Sequence, residues 1–301
     1  MVAHSTDVTQ NFVERISEIA IDYVALLKPR VMSLVVFTGF AGLFVAPGNL
    51  PPVLAAVAVI CIAISAGAAG AINMWYERDI DALMERTKNR PIPAGKISPN
   101  KALIFGVLLN ILPVLVMGFL LNWVAAALLA FAAGFYIFIY TIWLKRRTPH
   151  NIVIGGAAGA IPPMIGWAAV TGSITLDSIV LFLIIFMWTP PHFWALALYR
   201  EGDYAKAGVP MLPVVSGAAE TRRQILIYTV LLIPLTFAPL ILGTAGLIYG
   251  VTTGILGAYF FWLAIQIIRS KNDKSARRLF GFSIIYLFAL FAALIIEQVK
   301  I

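Results

Sequence analysis

The chain has 301 residues, 61 % of them hydrophobic and only 12 % charged, with a mean hydropathy of +0.92. That composition excludes a soluble globular enzyme and makes this an integral membrane protein. The formal net charge of +8 is no sign of nucleic-acid binding, because the bases are scattered over short joins with no soluble fold to carry a patch. The single cysteine, Cys61, sits within an apolar run, so an intramolecular disulfide and thiol-pair chemistry are both excluded.

The first 20 residues hold Asp7, Glu14 and Glu18 and no apolar run, which fits neither a secretory signal nor an Arg-rich transit peptide. Residues 1–27 read as an arm on the polar side, ending in a short amphipathic stretch, Val13 to Leu27, at the membrane surface. Residues 28–301 read as one all-α membrane domain. Uncharged runs of about 20 residues predict nine spans. They lie near 31–47, 52–72, 102–121, 123–143, 151–170, 178–198, 225–243, 246–268 and 279–296. Of the 22 Lys and Arg, only Lys300 falls on one side, leaving 21 on the other. The asymmetry predicts that the basic joins face the cytoplasm, or the matrix of an organelle.

The first span is entered through Leu27-Lys28-Pro29-Arg30, whose bases can snorkel at the rim. The second carries Ser65, Gly67 and Gly70, small residues that let helices approach. It then delivers Asn73-Met74-Trp75-Tyr76-Glu77-Arg78-Asp79-Ile80-Asp81, followed by Arg86, Lys88 and Arg90-Pro91-Ile92-Pro93. On a helix Asn73, Glu77 and Asp81 drift by only about 40° per step and share a face. Asp79 stands roughly 160° from Asp81 and joins them only if the helix frays. Three oxygen donors on one face with arginines beyond suit a hard cation such as Mg²⁺ presented to a phosphate. The bland alternative is a solvated loop that keeps a helix end in water.

Spans three and four form a hairpin that ends in Lys145-Arg146-Arg147. The fifth is rich in glycine over Ile152 to Pro163 and broken by Pro162-Pro163, which is tolerated only beside neighbours or a cavity. The sixth holds Trp188-Thr189-Pro190-Pro191-His192-Phe193-Trp194 and runs into Glu201-Gly202-Asp203. Gly202 is expected to stop the helix, leaving Glu201 and Asp203 on one side of an extended turn. The last three spans read as scaffold. Spans one to four and five to eight look like two parallel halves, each with an acidic helix end after its second span. Two such ends could face each other across one cavity and hold a diphosphate with Mg²⁺. Arg86, Lys88, Arg90, Lys145 and Arg146 are clamp candidates, though topology or lipid headgroups explain each one equally well. His192 lies roughly 12 Å below the loop by helical rise. It is either functional, since ionisable groups at that depth usually are, or a neutral histidine bonded to another helix.

The run Asn73-x-x-x-Glu77-x-Asp79-x-Asp81-x-x-Met84-x-Arg86-Thr87 with Arg90-Pro91-x-Pro93 resembles the first acidic motif of the UbiA superfamily of intramembrane prenyltransferases. Leu144-Lys145-Arg146-x-Thr148, Asn151 to Gly156, Trp188 to Trp194 and Asp203-Tyr204 through Pro213 are similar to its haem-farnesylating branch, so the likeness covers about residues 25–290. Met74 and Glu77 depart from the superfamily's Asn-Asp-x-x-Asp-x-x-x-Asp, and the second motif is a shortened Glu-x-Asp. The resemblance implies nine helices around a central cavity. It implies transfer of farnesyl from farnesyl diphosphate to a vinyl group of haem B, with addition of water. It further implies Asn73, Glu77 and Asp81 as catalytic residues, and Mg²⁺ on these with Asp79, Glu201 and Asp203. His192 would contact the haem, and haem A synthase or a terminal oxidase in the inner membrane of a bacterium would be the neighbour. The rivals are a related enzyme acting on a quinone precursor and a secondary transporter with repeated halves.

Overall fold

The computed structural model describes residues 17–299, and every regular element among them is a helix. Eight segments are long and apolar enough to cross a bilayer, and a bent pair supplies a ninth crossing. The pair is α1 (Ser17–Leu26) and α2 (Pro29–Val45), which meet at 56°. The bend has a local cause: Lys28 adopts the left-handed conformation, φ 52°, and Pro29 then opens a new helix. Of the stretch expected to be amphipathic, Ser17–Leu26 is helical, and Val13 to Ile16 lie outside the described residues.

Next come α3 (Pro52–Tyr76), the six-residue α4 (Arg78–Leu83), α5 (Pro99–Leu120) and α6 (Trp123–Leu144). The fifth crossing is α7 (Asn151–Ala160) plus α8 (Pro162–Thr171), and the sixth is α9 (Leu176–Tyr199), followed by the six-residue α10 (Glu201–Lys206). Then α11 (Leu212–Leu235), α12 (Ala238–Ile241), α13 (Leu247–Ser270) and α14 (Asp273–Val299) complete the bundle. The half-repeat is visible in α4 and α10, short acidic helices that each follow a second long one. Contacts sort the joins into two ends. Lys96 donates to Asp22 and Arg146 to Asp79 at the polar end; Asn122 donates to the carbonyl of Ala168, and Glu297 accepts from the Tyr249 amide, at the other.

Enclosure differs sharply among the helices. Buried residues make up 72 % of the most apolar stretch of the fifth crossing and 61 % of α9, but only 22 % of α5. The fifth crossing and α9 are thus central, and α5 meets lipid. Pro162 and Pro163 lack the N–H groups that would continue α7, but suit the first turn of α8. The break gives the two halves different neighbours. α7 packs on α9 and on the last turns of α6, whereas α8 crosses to α2. There the backbones touch: a Cβ on Gly42 would lie 2.1 Å from the Pro163 carbonyl oxygen, and one on Gly166 2.0 Å from that of Gly39. The close approach expected of α3 occurs at Gly67, where a Cβ would lie 3.0 Å from Leu27 Cβ, whereas one on Gly70 would meet nothing nearer than 3.5 Å. Ser65 of α3 hydrogen-bonds Asn110 of α5.

A side chain at the α2–α8 contact must push two backbones apart. Gly42→Ala and Gly166→Ala should each destabilise the detergent-purified protein by about 3 kcal/mol, the upper range of core overpacking. Gly159→Ala, where a Cβ meets nothing within 4 Å, should be neutral or stabilise by about 0.5–1 kcal/mol. Thermal unfolding of the three variants checks this, and a Gly166→Ala protein as stable as the parent would refute the contact.

Candidate active site at the polar end of the bundle

The α3 helix stops at Tyr76, and Glu77 is a hinge with φ −94° and ψ 11° before α4 resumes. The hinge keeps the amide of Glu77 on the Asn73 carbonyl and that of Asp81 on the Glu77 carbonyl, so the four-residue spacing survives. Asn73, Glu77 and Asp81 therefore point inward together, at 3, 1 and 2 % exposure. Asp79 points the other way. It forms a two-pronged ion pair with Arg146 at 2.6 and 2.8 Å, 60 % exposed, and the guanidinium also lies over Tyr76. The Arg146 hydrogen bonds hold the Asp79 carboxyl below its usual range, and Asp79 in turn raises Arg146. At that exposure the pair contributes little stability.

The inward residues meet bases from three other parts of the chain. Lys28 Nζ donates to Asn73 Oδ1 at 2.9 Å, and Asn73 Nδ2 donates to Thr141 at 3.2 Å. Lys145 donates to Glu77 Oε2, and Arg90 donates to Asp81 Oδ2 at 2.6 Å. Each base is placed by local structure. Lys28 is the left-handed residue at the α1–α2 bend. Arg90 rides on the Pro91–Ile97 loop, pinned because Ile92 and Ile97 pack with Leu26, Met74 and Ala102. Lys145 follows the π-helical end of α6, Phe135 to Leu144, whose wider turn was not foreseen from the sequence. Such turns recur at functional sites. Gly155 of α7 admits Tyr140 from that turn, since a Cβ there would lie 2.1 Å from the ring.

Glu77 Oε1 is buried without any hydrogen-bond partner, as is Asn151 Oδ1 at the start of α7. A bare, buried carboxylate oxygen is costly and calls for an ion or ligand group. Among the described residues no three of His, Cys, Asp or Glu converge on one point, so the six-residue metal set does not assemble. Mg²⁺ nonetheless fits the donors present, because it is commonly held by one or two carboxylates plus substrate phosphate oxygens. Charge agrees. The layer holds Arg90 and Lys145 against Asp81 and Glu77, and burial pushes the third base, Lys28, down to about 7, so the layer carries one excess positive charge once Lys28 is protonated. Adding a divalent cation would match the three negative charges of a fully ionised prenyl diphosphate.

The second acidic stretch departs from expectation. The helix breaks at Arg200, φ −119° and ψ 16°, and Gly202 lies inside α10 rather than ending it. Glu201 and Asp203 thus do not share an extended turn. Glu201 is exposed, while Asp203 is 13 % exposed and 3.5 Å from Arg200. The two acidic regions still meet, because Ile80 of α4 and Met84 just beyond it share a small core with Tyr204, Val209 and Met211. Arg86 is exposed and Lys88 pairs with Glu85 on the surface. His192 is buried within α9, stacked between Trp188 and Phe280 at 4.3 and 4.6 Å. Its Nδ1 lies 2.6 Å from Ser283 Oγ. From the sequence Lys28 was read only as a snorkelling base and Asn151 only as part of a family-like run, and none of Lys28, Thr141, Asn151 and Ser283 was named as a site residue. Of these only Lys28 carried a signal, a charge at the very mouth of a span.

Residues 35–293 match the model of the UbiA prenyltransferase family. A protein of Parvibaculum lavamentivorans named protoheme IX farnesyltransferase is 62 % identical over 281 residues, covering 92 % of this chain and 88 % of the relative. One of the same name from Azorhizobium caulinodans is 58 % identical over 92 % of this chain and 91 % of its own length. In fold, the chain superposes on a digeranylgeranylglyceryl phosphate synthase with a TM-score of 0.78 at 21 % identity, over 94 % of this chain and all of the other. A UbiA homologue from Archaeoglobus fulgidus, solved with DMAPP and Mg²⁺, gives 0.65 at 17 % identity, over 90 % and 99 %. The buried, interlaced acids and bases at the mouth of this bundle thus belong to a member of the UbiA prenyltransferase family.

Proposed function

We propose that the protein transfers a farnesyl group from farnesyl diphosphate to a vinyl group of haem B, with addition of water, releasing haem O and diphosphate. For the acceptor, the reading rests on the 62 % identical relative and its name. For the chemistry, the observation that carries it is the buried layer in which Glu77 and Asp81 are each held against a base while one Glu77 oxygen stays free. The breaking carbon–oxygen bond leaves its electron pair on the diphosphate. Lys145, Arg90 and Lys28 would face the developing charge and stabilise it more than they stabilise the substrate. The allylic carbon then bonds to the outer vinyl carbon, and the inner carbon, now cationic beside the ring, takes a water oxygen. That water's proton leaves to diphosphate or solvent.

Asn73, Glu77 and Asp81 would hold Mg²⁺ together with diphosphate oxygens, with Asp203 near enough in the fold to contribute through water. The bound ion supplies further neutralisation of the leaving group. Asp79 with Arg146 braces the outer side of α4 against α6, and Arg86 and Lys88 act from the exposed rim. Enclosure among apolar helices keeps stray water from the first cation. The basic end faces the cytoplasm of a bacterial inner membrane by the distribution of Lys and Arg.

Incubating the purified protein with haem B and farnesyl diphosphate, with Mg²⁺ and then EDTA, should give haem O by mass spectrometry only when the metal is present. Diphosphate release without a haem product would keep the prenyltransferase and discard the acceptor. Glu77→Gln and Asp81→Asn should each lower kcat about 10²–10³-fold, as expected for loss of one preorganised charge at a reacting centre. Asp79→Asn should change it less than tenfold. Equal losses at all three positions would contradict the division between inner and outer acids.

A further inference from the structure

Helix α14 lies in the part of the chain that sequence reasoning set aside as scaffold, yet it supplies the partners of His192. Arg277, Phe280 and Ser283 are three residues apart and form one stripe facing α9. Ser283 accepts twice: its carbonyl from Trp188 Nε1 at 2.8 Å and its hydroxyl oxygen from His192 Nδ1 at 2.6 Å. Phe280 stacks on His192 at 4.6 Å and meets Tyr199 edge-on at 6.1 Å. Tyr199 in turn lies beneath the guanidinium of Arg277, at 4.5 Å, and beside that of Arg200, at 5.9 Å.

The hydroxyl proton of Ser283 is committed to the Phe280 carbonyl at 2.6 Å. Its oxygen can therefore only accept from the imidazole, which places the ring proton on Nδ1 and leaves an unprotonated lone pair on Nε2. Nε2 has no hydrogen bond among the described residues, and it is absent from their fully buried, unpartnered atoms. A histidine oriented through one nitrogen, with the other bare and reachable, is the arrangement of a metal ligand with its supporting partner. From Ser283 to Arg277 is about 9 Å along the helix, the reach from the centre of a porphyrin to the carboxylates of its propionate arms. Arg277 has no carboxylate partner among the described residues, unlike the bases that meet Glu77 and Asp81.

We infer that the seam between α9 and α14 is the acceptor subsite, with His192 Nε2 on the haem iron, Ser283 as the positioning residue that sets its tautomer, and Arg277 with Arg200 on the propionates. This rests on the haem-acceptor reading above. It places the diphosphate at α3 and α6 and the tetrapyrrole at α9 and α14 of one ring of contacting helices, closed by α7 and α2, so that the vinyl and allylic carbons can meet.

The test titrates ferric haem B into the full-length protein in detergent, read by its absorption spectrum. The parent should show a histidine-ligated Soret band that His192→Ala lacks. Ser283→Ala should weaken haem binding about 10–100-fold, the usual cost of losing a ligand's supporting partner. Ser283→Thr, which keeps the hydroxyl, should restore most of it. Arg277→Gln should weaken binding of haem B about tenfold but leave binding of its dimethyl ester, which has no propionate charge, as in the parent. An unchanged spectrum in His192→Ala, or an Arg277 effect as large with the ester, would overturn the subsite. If the parent makes haem O while either result holds, the function stands and only this assignment falls; if the parent makes none, the acceptor reading itself has failed.

Discussion

An ionised carboxylate in a low-dielectric interior must be paired, and the polar end of this bundle is built around that requirement. Glu77 and Asp81 are almost wholly buried, and each faces one base. Desolvating two carboxylates costs several kcal/mol each, so removing one partner leaves an uncompensated charge that is far worse than removing both. The layer is therefore an unstable set of charges unless complete, and its bases are already aimed where an anion would enter. In the proposed reaction, stability and anion recognition would use the same side chains. An arriving diphosphate can take over the bases only if something positive takes over the acids, which is the physical reason a metal and the diphosphate would bind together.

The broken fifth crossing makes this geometry possible. If α7 and α8 were one straight helix, it could not both lean on α9 and α6 at the polar end and touch α2 backbone-to-backbone at the other. Proline at 162 and 163 separates the two demands, and glycines at 42 and 166 permit the contact. Gly155 and Gly156 serve the polar half, where Tyr140 and Thr189 press against α7. The π-helical turn of α6 belongs to the same solution, since Lys145 follows directly from it. Small side chains and helix irregularities thus sit where the bundle must bend around its charges.

Much of this was legible in the order of residues. Period and spacing placed Asn73, Glu77 and Asp81 on one face and Asp79 off it, because i to i+4 neighbours stay aligned even through a hinge that keeps its hydrogen bonds. The break at Pro162-Pro163 followed from the missing N–H groups. The reading failed at Gly202 because a glycine permits a turn without requiring one, and Tyr204 gains more by reaching the core shared with α4. It passed over α14, where Arg277 sits in a basic join and Phe280 and Ser283 in an apolar run; only Trp188, His192 and Tyr199 opposite make them a set.

The sequence by itself determined an all-helical membrane protein, its alternation of polar and apolar ends and the inventory of acids and bases. Those properties come from composition and from spacings shorter than a helical turn or two. Only the tertiary structure decided which base meets which acid. Lys28 lies 45 residues from Asn73, and Lys145 lies 68 from Glu77. His192 and Ser283 are 91 apart. Local periodicity carries no information over such separations, where pairing is set by how the helices pack.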